Sequence, residues 1–126
     1  MPNEPLTVQL SSDSYPTISS HLSASIDDRG LVISGHDVGP GVSSIWGDSD
    51  YEYWLVVDVD DLNSVVEGLI RKLGHEAAVP DRTSERDRLL LELMGQAWSQ
   101  AVFETDVDFR RWLNAIHVPS KFSSYV

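Results

Sequence analysis

The stretch from Trp46 to Asp61 constrains the fold most, because a strand pattern runs directly into a helix pattern there. Residues 51–59 alternate between two faces, as successive side chains of a β-strand do. One face carries Tyr51, Tyr53, Leu55, Val57 and Val59, and the other carries Glu52, Trp54, Val56 and Asp58. An acidic turn, residues 47–50, comes first, and Asp60 and Asp61 follow. The spacing predicts a strand that leads at once into a helix.

An amphipathic stripe follows this strand. Its apolar residues recur at the spacing of one helix face: Leu62, Val65, Val66, Leu69, Ile70 and Leu73. We expect Asp60 or Asp61 to cap this helix and Gly74 to end it. Start signals at residues 84–87 and at Thr105, each followed by its own apolar stripe, predict two more helices.

The segments before the central strand alternate like short strands. Leu6–Leu10, Leu22–Ile26 and Leu31–Ser34 have this pattern, and Asp27–Gly30 predicts a hairpin turn between the last two. The glycines and proline within residues 35–41 predict a bend that breaks the strand pattern. Residues 11–20 are expected to form a loop. The tail, residues 120–126, is expected to add a short strand or to lie on the surface.

The order of strands first and helices afterwards favours the α+β class. It lacks the strand–helix–strand alternation of a parallel, doubly wound sheet. We expect residues 1–126 to form a single α+β domain, with an antiparallel sheet of about four strands packed on one face by two or three helices. A length of 126 residues fits one domain, and the 41% of hydrophobic residues can supply its core.

The charge is distributed unevenly along the chain. The first 70 residues carry 12 carboxylates and one arginine, whereas the remaining residues carry eight charges of each sign. All of the net charge of −11 therefore lies in the first part, and residues 30–70 contain neither Lys nor Arg. Such a field repels nucleic acid and anionic lipid and attracts a basic surface. Solubility is the other explanation for an acidic surface.

Composition also bears on the compartment. The chain has no cysteine, which excludes a disulfide framework and thiol chemistry. Residues 1–5 lack the charge and the apolar run of a signal peptide, and no apolar run approaches the ~20 residues of a membrane span. We expect a cytoplasmic protein without a membrane partner and without a cofactor.

Metal-binding patterns are weak. The four histidines have no metal-ligand spacing. Asp48, Asp50 and Glu52 are spaced like the start of a calcium loop, but Tyr53 and Val59 stand where that loop needs its glycine and its final glutamate. The glycine-rich residues 35–41 lack the spacing of a phosphate-binding loop. No metal site is expected.

Catalytic patterns are equally sparse. Glu52 and Asp58 lie ~20 Å apart on an extended strand, too far for paired-carboxylate catalysis. The catalytic alternative is a hydrolase or metal-dependent enzyme that uses Asp48, Asp50 and Glu52 with His36. A regulatory protein-interaction module is a further alternative, and a non-catalytic binding protein is favoured over both.

Aromatic residues accompany these carboxylates. Rings within an acidic rim are what a recognition surface needs, because the rings supply contact area and the carboxylates supply steering and specificity. One or two of the rings at 46, 51, 53 and 54 are expected to contact a partner, and the rest to join the core. The predicted partner-binding set is Trp46, Asp48, Asp50, Tyr51, Glu52 and Tyr53.

These residues also carry a family resemblance. The run Gly35–Pro40, then Trp46–Trp54, then a capped amphipathic helix resembles small immunity proteins of bacterial polymorphic toxin systems. The resemblance covers roughly residues 20–73 and none of the helical second half. It implies a compact acidic α+β protein that binds and neutralises a cognate toxin domain. A toxin that acts on nucleic acid carries Lys and Arg for phosphates, and an acidic protein can mimic that ligand.

Overall fold

The computed structural model describes residues 6–14, 19–38 and 50–125. Within them the chain forms five strands and three α-helices. The strands are β1 (Leu6–Ser14), β2 (Ser19–Asp27), β3 (Gly30–Val38), β4 (Asp50–Asp58) and β5 (Lys121–Tyr125). The helices are α1 (Leu62–Lys72), α2 (Thr83–Ser99) and α3 (Asp106–Ala115), and a 3-10 turn, Val59–Asp61, joins β4 to α1.

The five strands form one antiparallel sheet in the sequential order β1-β2-β3-β4-β5. The predicted α+β class is confirmed, and the fifth strand comes from the tail, which pairs with β4. The register of β1 against β2 shifts between Gln9 and Ser11, a β-bulge in this outer strand.

One face of the sheet packs on the three helices. Its core residues are Leu22, Ala24, Ile26, Leu31, Ile33, Leu55 and Val57, all at most 9% exposed. They pack with the predicted α1 stripe and with the apolar faces of α2 and α3. No described helix or strand packs on the opposite face, which we call the open face. No helix in the described part of the chain is long and apolar enough to cross a membrane.

Strand boundaries differ from the sequence prediction in three of the connecting regions. β1 extends to Ser14 and β2 begins at Ser19, so both strands include residues that are predicted to form a loop. β3 continues through Gly35 to Val38. Gly35 therefore lies within a regular ladder opposite Tyr53. The predicted hairpin turn is confirmed: Asp27 pairs with Gly30, which has a φ of +121°. Val59, predicted as the last residue of the central strand, lies in the 3-10 turn and is 42% exposed.

Helix starts differ in detail from the prediction. Asp61 precedes α1 but makes no side-chain cap, whereas Asp58 accepts a hydrogen bond from the Asp60 backbone N–H at 2.9 Å. The extra 3-10 turn moves the cap upstream, because the first unpaired N–H groups now follow Asp58. The predicted start at Thr105 is confirmed: Thr105 and Asp108 form a reciprocal capping box on α3.

Candidate functional site

β4 distributes the predicted partner-binding residues over two faces of the sheet. Tyr51 and Tyr53 lie on the helix-covered face, whereas Glu52 lies on the open face beside Trp54. Asp50 begins β4, but its side chain lies outside the described residues, as do all of Trp46 and Asp48. The predicted set therefore divides into two surfaces at the same end of the sheet.

On the helix side this end forms a cleft of about 180 Å³, which we call the acidic cleft. Its lining is polar: Ser11, Ser20, His21, Leu22, Asp37, Tyr53, Glu104, Thr105 and Asp106. The capping box of α3 fixes the chain at Thr105 and so positions the acidic residues on either side of it. Three carboxylates thus line the cleft together with Tyr53, with neither Lys nor Arg among the described lining residues.

The electrostatics of this cleft are those of crowded, partly buried acids. Burial raises the pKa of the Tyr53 hydroxyl far above its usual range, and the negative charges of Asp106 and Asp37 raise it further. Burial likewise raises the pKa of the Asp106 carboxyl, with Asp37 adding to the rise. Backbone N–H groups and Arg110 oppose that second shift. A basic group entering the cleft would relieve this repulsion.

The Tyr53 ring is held tightly. It lies over Gly35, where an added Cβ would collide with the ring atoms. Its centroid is 5.5 Å from the ring centroid of Tyr51 and 6.0 Å from that of Phe122. The Arg110 guanidinium lies over the Phe122 ring, 4.6 Å from its centroid. Gly35 is therefore present to accommodate this ring and does not bend the strand as the sequence suggested.

A row of polar side chains crosses the open face at the same end of the sheet as the acidic cleft. The register places Ser12, His21, His36 and Glu52 side by side on four adjacent strands. Ser12 Oγ lies 3.1 Å from His21 Nδ1, and His36 Nε2 lies 3.8 Å from Glu52 Oε1. Beside this row is a recess of about 260 Å³, the open-face pocket, lined by His21, Ser23, Ser34, Gly35, His36, Glu52 and Trp54.

The position of His36 on the open face determines which acidic side chain lies next to it. His36 and Asp37 lie on opposite sides of the sheet, because neighbouring strand residues face opposite ways: Asp37 lines the acidic cleft, and His36 lies beside Glu52. Of the carboxylates in the catalytic alternative, only Glu52 has a described side chain. Within the described residues no three His, Asp or Glu side chains are grouped to hold a metal ion.

Sequence reasoning missed several residues of these two surfaces. Asp37, Glu104 and Asp106 line the cleft although 67 positions separate Glu104 from Asp37. Their meeting depends on where α3 docks on the sheet, which no local pattern gives. His21 and His36 are cross-strand neighbours, and extending the predicted β2–β3 hairpin from its Asp27–Gly30 turn would have placed them opposite each other.

Comparison with models of known protein families, with curated proteins and with solved structures found no match to this chain.

Proposed function

We propose that this chain is a non-catalytic, acidic binding protein, an immunity protein that binds and neutralises a cognate bacterial toxin domain in the cytoplasm. The observation that carries the proposal is the concentration of carboxylates at one end of the sheet. Asp37, Glu52, Glu104 and Asp106 come from β3, β4 and the start of α3, and they line the two adjacent recesses there.

The wider charge distribution supports the same partner chemistry. β3 and β4, which supply Asp37 and Glu52, belong to the part of the chain that holds all of the net charge of −11. A toxin domain that holds nucleic acid presents Lys and Arg side chains, and a carboxylate-rich surface can occupy those side chains in place of phosphates. Aromatic side chains in and beside the two recesses supply contact area.

The test is the kinetics of binding to any toxin domain that is encoded next to this chain's gene. Long-range steering is screened as the Debye length falls from ~10 Å at 0.1 M salt to ~3 Å at 1 M, so association should slow as salt rises. Reversing Glu52 and Glu104 to Lys should lower the association rate and flatten its salt dependence. Both side chains are partly or fully exposed, so circular dichroism should show an unchanged fold.

Glu76→Lys is the matched control, because Glu76 is exposed in the linker between α1 and α2, outside both recesses. It alters the net charge by the same amount per substitution. If Glu76→Lys lowers the association rate as much per charge as the Glu52 and Glu104 reversals do, the effect comes from net charge and not from the two recesses. A complex that forms at a rate indifferent to salt and to all these reversals would refute the proposal.

A further inference from the structure

The open-face pocket has a composition that selects a particular ligand chemistry. Glu52 and Trp54 stand two residues apart on β4 and so point to the same side of the sheet. The cross-strand neighbours of Trp54 are Ser34 and Ser123, whose side chains are small. Trp54 is half-buried, and Glu52 is 43% exposed. An aromatic face and a carboxylate therefore border one recess.

These groups favour a planar cation. A carboxylate accepts hydrogen bonds and donates none, and an indole face attracts positive charge through its ring quadrupole. A guanidinium fits both at once, because it donates a fork of N–H groups to a carboxylate and stacks on aromatic rings. An anion is disfavoured by Glu52, and no Lys or Arg is among the described residues that line the pocket. Lys121 lies opposite Val56, which is two residues along β4 from Trp54, and is not among the lining residues.

His36 restricts how a ligand reaches Glu52. Its Nε2 lies 3.8 Å from Oε1, so a histidine flanks one carboxylate oxygen from β3. The pocket continues past this pair to the hydroxyls of Ser23 and Ser34, which can accept further N–H donors.

We propose that the open-face pocket binds the guanidinium group of an arginine presented by the partner protein. The inference rests on the proposed function for its partner, whose basic surface complements the charge of −11. It assigns a specific task to Glu52 and adds Trp54, a residue outside the predicted partner-binding set.

The pocket can be tested without the partner, by nuclear magnetic resonance titration of the full chain with N-acetyl-arginine amide. We expect saturable shifts of the Trp54 indole N–H and of the Glu52 and Ser34 amides. N-acetyl-citrulline amide, which has the same shape without the charge, should bind at least about tenfold more weakly, the value expected for a charged hydrogen bond. N-acetyl-lysine amide should bind more weakly than arginine because it lacks the planar fork.

Glu52→Gln should weaken arginine binding about tenfold, and Trp54→Phe should weaken it less, because a smaller aromatic face remains. Glu76→Gln is the control and should leave binding unchanged. The proposal fails if arginine gives no saturable shift at these residues, if citrulline binds equally well, or if Glu52→Gln binds arginine like the parent chain. Amide spectra of each variant verify that it is folded.

The two proposals can fail separately. If the neighbouring toxin domain binds the parent chain and the Glu52→Gln variant with equal affinity, the pocket assignment is wrong and the immunity function stands. If arginine binds as expected but no toxin domain is bound or neutralised, the pocket is real and the proposed function is wrong.

Discussion

At the scale of single residues, Gly35 shows how one position supports the candidate site. The absence of a side chain there lets the Tyr53 ring lie across the neighbouring strand, and the ring in turn contacts Tyr51 and Phe122. An aromatic ring laid over a strand glycine covers backbone that would otherwise be exposed. The position of the Tyr53 hydroxyl in the acidic cleft therefore depends on a glycine one strand away.

Gly35→Ala should destabilise the protein by about 1–3 kcal/mol, because the new methyl group displaces the Tyr53 ring. Urea unfolding gives the free energy of unfolding. Gly95→Ala is the matched control: it adds the same methyl group within α2, where the nearest atom is Val8 Cγ2 at 3.4 Å. Because alanine favours a helix over glycine, that variant should be stabilised by up to about 1 kcal/mol. Equal stability of the parent chain and Gly35→Ala would show that the ring is not held as described.

The Tyr53 hydroxyl gives a pH prediction at the same scale. Its pKa is raised in the folded protein, so its contribution to stability is complete below the ordinary tyrosine value of about 10 and is lost as the pH rises above it. The free energy of unfolding should fall more steeply in alkali for the parent chain than for Tyr53→Phe. Tyr53→Phe should also remove one step at alkaline pH from the absorbance titration of tyrosinate. Tyr51→Phe, which removes one tyrosine as well, is the control; a stability that falls as steeply in Tyr53→Phe as in the parent chain would contradict the prediction.

At the scale of elements, the sequence predicts repetitive features well, and it predicts one helix cap correctly and another wrongly. The α1 stripe is buried as expected because its spacing is set by the helix itself. The Thr105 cap was also predictable, since a capping box is a local pattern. The Asp61 cap was not, because a 3-10 turn between β4 and α1 depends on how the strand meets the core.

This difference gives a prediction for the two aspartates. Asp58→Ala should cost about 1 kcal/mol, because its carboxylate accepts the Asp60 N–H. Asp61→Ala should change the free energy of unfolding by less than about 0.5 kcal/mol, the range of surface substitutions without such a bond. Thermal and urea unfolding of both variants measure these costs. A larger loss of stability for Asp61→Ala than for Asp58→Ala would indicate that Asp61 caps the helix and would contradict the described hydrogen bond.

At the scale of the whole molecule, the candidate site is assembled from segments that the sequence keeps far apart. The acidity of the first 70 residues and the two-faced pattern of β4 are properties of the sequence alone. The division of Tyr53 from Glu52 follows from that alternation. The arrival of Glu104 and Asp106 beside Asp37 required the docking of α3 on the sheet. Patterns of short period predict faces, whereas contacts between distant segments follow from the packing of the whole core.

The sequential order of the sheet has a consequence for folding kinetics. β1 to β4 include local hairpins, but Trp54 and Ser123 pair across 69 positions of chain, with all three helices between them. Closing so long a loop has an entropic cost, so β5 should join the sheet after the folding transition state. Phe122→Ala should then speed unfolding and leave the folding rate nearly unchanged. Ile33→Val, in the β2–β3 hairpin, should slow folding. Stopped-flow chevrons measure both rates, and a folding rate slowed by Phe122→Ala in proportion to its destabilisation would place β5 in the nucleus.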